Sequence, residues 1–571
     1  MSSNFTFSRI TGLSLLLCLI TGLLVVRLFY LQVLRGDEYS EEVSNNYSVE
    51  ELTKFDRGTI YVQKKDATLV SAATTVSGYT LVVDKNSITV SPEQLFTSIQ
   101  SVIIDADKDA FDKKMNSKGR YVDVVRHVTQ SQYDALNDMK IEGIAFRKDK
   151  WRFYPGGGMS ARTIGFVAFK GNSLVGRYGI ERFYNDTLTL NKNSLYSNFF
   201  TEVFSTLHDS VFNEESTEGD VVTSIEPSVA QYVESTLAKT IDKYSADGAG
   251  AIVMNPKNGE IYAMSYLPTF DLNDFSSVTH VSTFNNPLVE NVYEFGSIIK
   301  PLVMAAGLDM KAVRPDTTYI DKGEITINTE TIHNFDKKAR GKATMQDVLN
   351  QSLNTGMVFV MQQMGKDNFK KYMLAYGIGE KTGIDLPGEV SGITSNLKST
   401  REIEFANAAF GQGIAMTPVE VIRAFSSIAN KGVPVTPHVV SMIKTKDGEE
   451  KKIAPEFGNQ LIAPQTADDI TKMLVTVVDK GLGAGQYKNE HYSVAAKTGT
   501  AQIAMENGRG YYADRYLHSL FGYYPAYNPR FLVLMYVVNP KGVKYAASTL
   551  ADPFFDLSKY LLSYYDVPPD R

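Results

Sequence analysis

Cysteine is all but missing: the 571 residues hold one, Cys18, inside an apolar run. No intramolecular disulfide can form and a cysteine-ligated zinc is excluded; such avoidance is compatible with an exported domain. A basic surplus is missing too, since 58 Lys and Arg stand against 64 Asp and Glu for a formal charge of −6. Without a cationic surface for phosphates, nucleic acid is not expected as a partner. Histidine is scarce at 7 residues, and His333, His438, His491 and His518 fall in no metal-ligand spacing, so neither metal nor cofactor is expected. Trp151, the single tryptophan, is expected to serve packing. Internal repeats and low-complexity tracts are absent.

What is present is an ordinary globular composition, 43% hydrophobic and 21% charged, in a chain too long for one core; two or three domains plus an anchor are expected. The anchor is Ile10–Val26, uncharged, continued past Arg27 to Leu34. As one helix, 10–34 is long enough to cross a bilayer core of ~30 Å. The chain runs on with helical periodicity instead of reaching a small-residue cleavage site, so an uncleaved transmembrane helix is expected, with 1–9 as a cytoplasmic tail. Arg9 precedes the segment while Arg27 and Arg35 follow it, so charge bias leaves the orientation open.

Residues 45–220 read as a mixed α/β module of short strands and helices, ending in the polar stretch Glu214–Asp220. From Val221 to the C-terminus a second unit is expected. It opens with a hairpin over 250–264 around Pro256-Lys-Asn-Gly259, continues through a helical centre at roughly 297–430, and returns to strands at Tyr492–Ile503, Leu517–Tyr524 and Phe531–Val538. A helix over Phe554–Tyr564 closes it. Strands at both ends with helices between imply an α+β fold: an antiparallel sheet with helices plus a helical subdomain.

Three short strings carry the chemistry: Ser297-Ile-Ile-Lys300, Ser352-Leu-Asn354 and Lys497-Thr-Gly-Thr500. None is decisive alone. A chain this long holds about two S-x-x-K matches by accident, and here Ser395–Lys398 and Ser441–Lys444 also fit, while Lys381-Thr-Gly383 duplicates part of the third string. Context selects among them. Ser297 opens an apolar helix with Pro301 tolerated in its first turn, which puts its hydroxyl near the positive helix end and Lys300 one turn on. Burial and neighbouring positive charge would let Lys300 take the hydroxyl proton. Ser441 and Lys444 sit on a strand and face opposite ways, Ser395 lies in loop-like sequence, and Lys381-Thr-Gly383 reads as a turn. Ser352 and Asn354 can face one cleft only if the backbone between them is not regular helix; the hydroxyl could then shuttle a proton and the amide hold a substrate carbonyl. Lys497, with Thr498 and Thr500, supplies a cationic carboxylate site on a strand, and Gly499 would let a substrate backbone approach and pair with that strand. Backbone N–H groups of Ser297 and Thr500 are the candidate oxyanion hole.

This ordered set resembles the penicillin-binding transpeptidases, in their class B, single-anchor form. Arg57-Gly-Thr-Ile60, Arg152-Phe-Tyr-Pro155, Ile164-Gly165 and Gly179-Ile-Glu-Arg182 resemble the family's N-terminal pedestal. Ala251–Glu260, Phe410–Pro418, Ala429–Gly432 and Phe521–Pro525 resemble its transpeptidase domain of serine transpeptidase/β-lactamase-like fold. The resemblance implies Ser297 as acylated nucleophile, Lys300 as its base, Ser352 and Asn354 as the second motif, and Lys497, Thr498, Gly499 and Thr500 as the carboxylate- and carbonyl-binding strand. It implies cross-linking of peptidoglycan stem peptides ending in D-Ala-D-Ala, covalent capture by β-lactams, and a single-pass location in a bacterial cytoplasmic membrane with the catalytic domain outside. A membrane-embedded wall polymerase and division or elongation proteins are the implied partners. Two departures stand out: Phe295 where the family usually has proline, and a glycine-free stretch over 185–215. Two other readings use the same residues. One is a β-lactamase or β-lactam sensor on the same fold, of which a class A lactamase would need a carboxylate-activated water for deacylation, and Glu389 sits in turn-like Leu386-Pro-Gly-Glu389; the other, a non-catalytic scaffold, would have no use for intact Ser297, Lys300 and Lys497.

Overall fold

Largely apolar runs on both sides of a tight turn make Gly248–Met254 (β1) and Ile261–Leu267 (β2) a mostly buried hairpin. They join Ala495–Ala504 (β3), Tyr511–Tyr524 (β4) and Phe531–Val538 (β5) in one antiparallel sheet of order β3-β4-β5-β1-β2. The computed structural model describes residue 21 and residues 56–171, 173–190, 218–505 and 510–571. The expected tail at 1–9, the anchor at 10–34 (Thr21 apart) and most of the glycine-free stretch lie outside the described residues. Among the described residues no helix is long and apolar enough to cross a membrane.

Register places Lys497 opposite Phe521 and Gly499 opposite Ser519, with Leu520 opposite Met535 and Met535 opposite Ala251. Alternation then sends neighbouring side chains to opposite faces. Phe521 stacks on Phe425 of helix Pro418–Ala429 with ring centroids 3.6 Å apart, whereas Gly522 lies against the Phe554 ring of the C-terminal helix. The sheet is therefore covered by helices on both faces, and each fully buried aromatic contributes ~1.5–3 kcal/mol. Gly522 leaves the space that Phe554 fills.

The C-terminal helix runs Ala546–Tyr564, eight residues longer at its start than expected, with Pro553 inside it. Burial of Leu550, Ala551, Phe554 and Leu557 on the sheet outweighs the one lost backbone bond. The helical centre also departs from expectation. It carries two small hairpins, Thr318–Asp321 paired with Gly341–Thr344, and Glu324–Ile327 paired with Glu330–His333.

The chain packs as two units. One comprises Val76–Trp151 and Phe169–Leu174 among its described residues. There the strand continuing to Asp84 pairs with Tyr121–Val128, and helices Pro92–Val102, Lys108–Met115 and Gln130–Asp138 close a core around Leu81, Val83, Ile99 and Phe111. Reciprocal caps at Ser91 with Gln94 and Thr129 with Gln132 set two helix starts. Trp151 packs there, stacked on His127.

The other unit holds Arg57–Thr75, Arg152–Ala168 and Val175–Arg571, and within it three distant strings meet at one carboxylate. Glu181, fully buried, takes the Arg57 Nε at 2.6 Å and the Arg152 Nε at 2.6 Å. Arg57 also donates to the Glu181 carbonyl at 2.7 Å, and Arg152 to the Gly58 carbonyl at 2.8 Å. Burial pushes the Glu181 carboxyl up, but Arg152 and Arg57 together leave it below its ordinary value of 4.5. Glu181→Gln should destabilise this unit by about 3–5 kcal/mol, because two buried guanidiniums lose their counter-charge. A folded-state value below the unfolded one means protonation favours the unfolded chain. Wild-type stability from this group should be complete above the ordinary carboxylate range and decline as pH falls through it, with no such decline in Glu181→Gln. Urea unfolding at a series of acidic pH values measures both.

Candidate active site

The stretch before Ser297 is fixed from both ends. Phe295 is buried, its ring edge-on to Tyr536 at 6.0 Å, and its carbonyl accepts the Ser519 hydroxyl at 3.0 Å. An aromatic anchor thus holds the position where a proline ring was expected. Gly296 has φ +61 and its amide donates to the Gly411 carbonyl at 3.2 Å; a side chain there would meet the Thr500 carbonyl at 2.7 Å. Glu294 adds a third tie, accepting the Gly413 amide at 3.0 Å and the Tyr511 hydroxyl at 3.0 Å, with burial raising its pKa.

Ser297 lies in a 3₁₀ turn, Gly296–Ile299, that runs into the α-helix Lys300–Asp309. This differs slightly from the expected first α-turn: Pro301 opens the α-helix only after the serine has passed. Lys300 is fully buried. Its amine donates to the Ser352 carbonyl at 2.7 Å, to Asn354 Oδ1 at 2.8 Å and toward Ser352 Oγ at 3.2 Å. Burial first, then the charge of Lys497, holds its pKa well below 10.5. Two of those partners, a carbonyl and an amide oxygen, can only accept. A neutral Lys300 can spend both N–H groups on them and keep its lone pair for a hydroxyl of the cleft.

Ser352 reaches that position because its backbone is left-handed, φ +55, in the three-residue break between helices Met345–Asn350 and Asn354–Met364. Asn354 opens the second helix and also donates to the His333 carbonyl at 2.9 Å. The non-helical backbone that the spacing required is present. Behind it, Asp321 accepts from Asn334 at 3.0 Å and Thr355 at 2.7 Å, pinning that helix start to the small hairpins. No pattern in the sequence marks Asp321 or Asn334, which act through a fold not visible as periodicity.

Lys497 comes in from β3, buried, donating to Ser352 Oγ at 3.1 Å and to the Thr498 carbonyl at 3.0 Å. Burial lowers its pKa to about 8. Ser352 Oγ therefore stands between two amines. Thr498 and Thr500 are half-exposed on the cleft side of β3, and Thr500 Oγ1 accepts the Ala546 amide at 3.0 Å. Gly499 has a reason beyond the one expected. A side chain there would meet the Phe295 carbonyl at 2.4 Å and the Ile298 amide at 2.9 Å, so glycine admits the protein's own turn carrying Ser297. β3 is nonetheless a sheet edge, with backbone available to an added strand.

Ser297, Ser352, Asn354, Lys497, Thr498 and Thr500 line one cleft of about 730 Å³. The duplicate strings lie elsewhere. Ser441–Lys444 is strand and Ser395–Lys398 a 3₁₀ turn. Lys381-Thr-Gly383 is a turn tied to Glu389, whose carboxylate takes the Thr382 amide and hydroxyl at 2.6 Å and the Gly383 amide at 3.1 Å. Glu389 is committed there and does not line the cleft.

Residues 249–557, more than half of the chain, match the family model of the penicillin binding protein transpeptidase domain, and residues 53–198 match that of the penicillin-binding protein dimerisation domain. Stage V sporulation protein D of Bacillus subtilis is 29% identical over 563 residues, covering 96% of this chain and 85% of its own. Peptidoglycan D,D-transpeptidase FtsI of Escherichia coli K12 is 25% identical over 447 residues, covering 77% and 71%. Among solved structures, penicillin binding protein 3 of Mycobacterium tuberculosis in complex with aztreonam superposes with TM-score 0.67 at 21% identity, covering 90% of this chain and 98% of that one. Penicillin binding protein 2X of Streptococcus thermophilus gives 0.69 at 22%, covering 90% and 80%. By its two matched domains and their order, the chain belongs to the penicillin-binding protein transpeptidase family, in its class B form.

Proposed function

We propose that the protein is a peptidoglycan D,D-transpeptidase acting through a Ser297 acyl-enzyme, and that β-lactams acylate the same serine. One observation carries this reading: the Ser352 hydroxyl within 3.2 Å of one buried amine and 3.1 Å of another, in the cleft that Ser297 lines. Neutral Lys300 takes the Ser297 proton as Oγ bonds to the carbonyl carbon of the penultimate D-Ala. The proton passes by way of Ser352 to the leaving nitrogen as the C–N bond breaks and the last D-Ala departs. An amino group of a neighbouring strand then attacks the ester, forms the cross-link and frees Ser297. Protonated Lys497, with Thr498 and Thr500, holds the terminal carboxylate; Asn354 orients the donor; the Ser297 and Thr500 amides face the oxyanion. Gly499 serves by admitting the turn.

The domain plan follows: a tail at 1–9, a membrane anchor at 10–34, a pedestal at 45–220 and the transpeptidase domain at 221–571 outside the membrane. Wall synthesis at the septum or along the cell body, beside a membrane polymerase, is the setting its relatives support. Commitment of Glu389 to the 382–383 turn weighs against a β-lactamase.

Ser297→Ala should abolish penicillin labelling in intact-mass spectra while leaving the melting temperature near wild type; a persistent adduct would overturn the nucleophile. Lys300→Ala should slow acylation by ~10²–10⁴-fold. The pH profile of penicillin acylation should be bell-shaped. It rises as Lys300 loses its proton and falls as pH passes about 8, where Lys497 loses its charge. A rate still climbing well above that value would contradict the role of Lys497.

A further inference from the structure

The cleft is one-sided in charge. Lys497, Arg340 and Lys544 line it, and no Asp or Glu does among the described residues. Arg340 is neutralised by a two-pronged pair with Asp336 at 2.8 Å. Lys497 is assigned to the terminal carboxylate of the donor. Lys544 is left over: an exposed cation at the rim without a carboxylate within 4 Å among the described residues.

Its surroundings are built rather than loose. The Lys544 carbonyl takes His518 Nε2 at 3.1 Å, and His518 Nδ1 meets Thr549 Oγ1 at 2.9 Å. A carbonyl only accepts, so Nε2 carries the proton; burial holds the ring neutral, with its pKa pushed down to about 4. Two residues on, the Ala546 amide is tied to Thr500 of the carboxylate strand. Beside Lys544, Tyr545 meets Phe335 edge-to-face with centroids 5.7 Å apart. These two rings, 41% and 48% exposed, both line the cleft. Phe335 is held by the same segment whose His333 carbonyl takes Asn354. Exposed rings at a cleft mouth, beside an ammonium that has no carboxylate partner among the described residues and lies 5.6 Å from the Tyr545 ring centroid, suit a ligand that is aliphatic along its length and carries a carboxylate at its end.

Resting on the transpeptidase reading above, we propose that Lys544, Phe335 and Tyr545 form a specificity subsite. It selects donor stem peptides whose residue before the D-alanine pair carries a free carboxylate on its side chain, over donors whose side chain there ends in an ammonium alone. The rings cover the methylene chain and Lys544 meets the carboxylate; a lone ammonium meets like charge.

Two soluble pentapeptides, identical except for lysine or a 2,6-diamino diacid at the third position, test this as competitors of fluorescent-penicillin acylation. The diacid peptide should protect wild type at about two- to fivefold lower concentration, the size of an exposed ion pair, and the gap should shrink with added salt. Lys544→Glu should erase or invert the preference, the ratio being internal to each variant. Equal protection in wild type, or an unchanged preference in Lys544→Glu, overturns the subsite. Release of D-Ala from either peptide is scored separately: its absence counts against the transpeptidase reading, while the protection ratio still decides the subsite.

Discussion

Two lysine side chains are buried against one serine hydroxyl, with no carboxylate among the groups bonded to them, and the site depends on that omission. An ammonium taken out of water without a counter-ion gives up its proton rather than bear the desolvation. Here the effect is graded. Lys300, deeper and facing a second cation, is displaced the further; Lys497 is displaced only to about 8 and stays largely charged at neutral pH. One pair of identical side chains thereby yields a base and a cation. The hydroxyl between them can donate to the first and accept from the second, which histidine accomplishes in other serine acyl-transfer sites.

Holding this arrangement is a backbone problem. The turn carrying Ser297 must lie flat on β3, and two glycines allow it: Gly499 where the turn's carbonyl and amide approach, and Gly296 where the strand's carbonyl does. Phe295 and Ser519 fasten the turn from behind. Ser352 needs a left-handed residue between two helices, and the Asp321, Asn334 and Thr355 bonds hold the second of those helices in place. Strain of this kind persists where the surroundings over-determine it. The small hairpins in the otherwise helical centre have that work.

Much of this was legible in the residues. Strand periodicity located β1, β2 and β5 closely, and the three ordered strings contain Ser297, Ser352, Asn354, Lys497, Thr498 and Thr500, which line one cleft. Three things were not legible. The last helix was expected to start at Phe554, yet burial of Leu550 and Phe554 carries it through Pro553 from Ala546. The approach of the Ser297 turn to Gly499 is not visible because spacing shows a small residue without showing what comes close to it. Asp321, Asn334 and Lys544 belong to no periodic pattern; their meaning is in which distant segment they touch.

The Glu181 cluster gives the contrast that explains the lysines. Burial costs are the same in kind at both places, but Glu181 is answered by two arginines at 2.6 Å and stays ionised below its ordinary value. Everything there is compensated, and the group is fixed in one protonation state, as a structural clamp requires. At Lys300 compensation is withheld, and the amine is held well below its ordinary basicity, as a proposed proton carrier requires. Placing a carboxylate beside Lys300 would raise the basicity of the amine toward its ordinary value and remove the property that the proposed base needs. The cleft lining, free of Asp and Glu among the described residues, therefore serves chemistry and substrate charge together: the absence that unburdens Lys300 of its proton also leaves the walls open to an anionic strand.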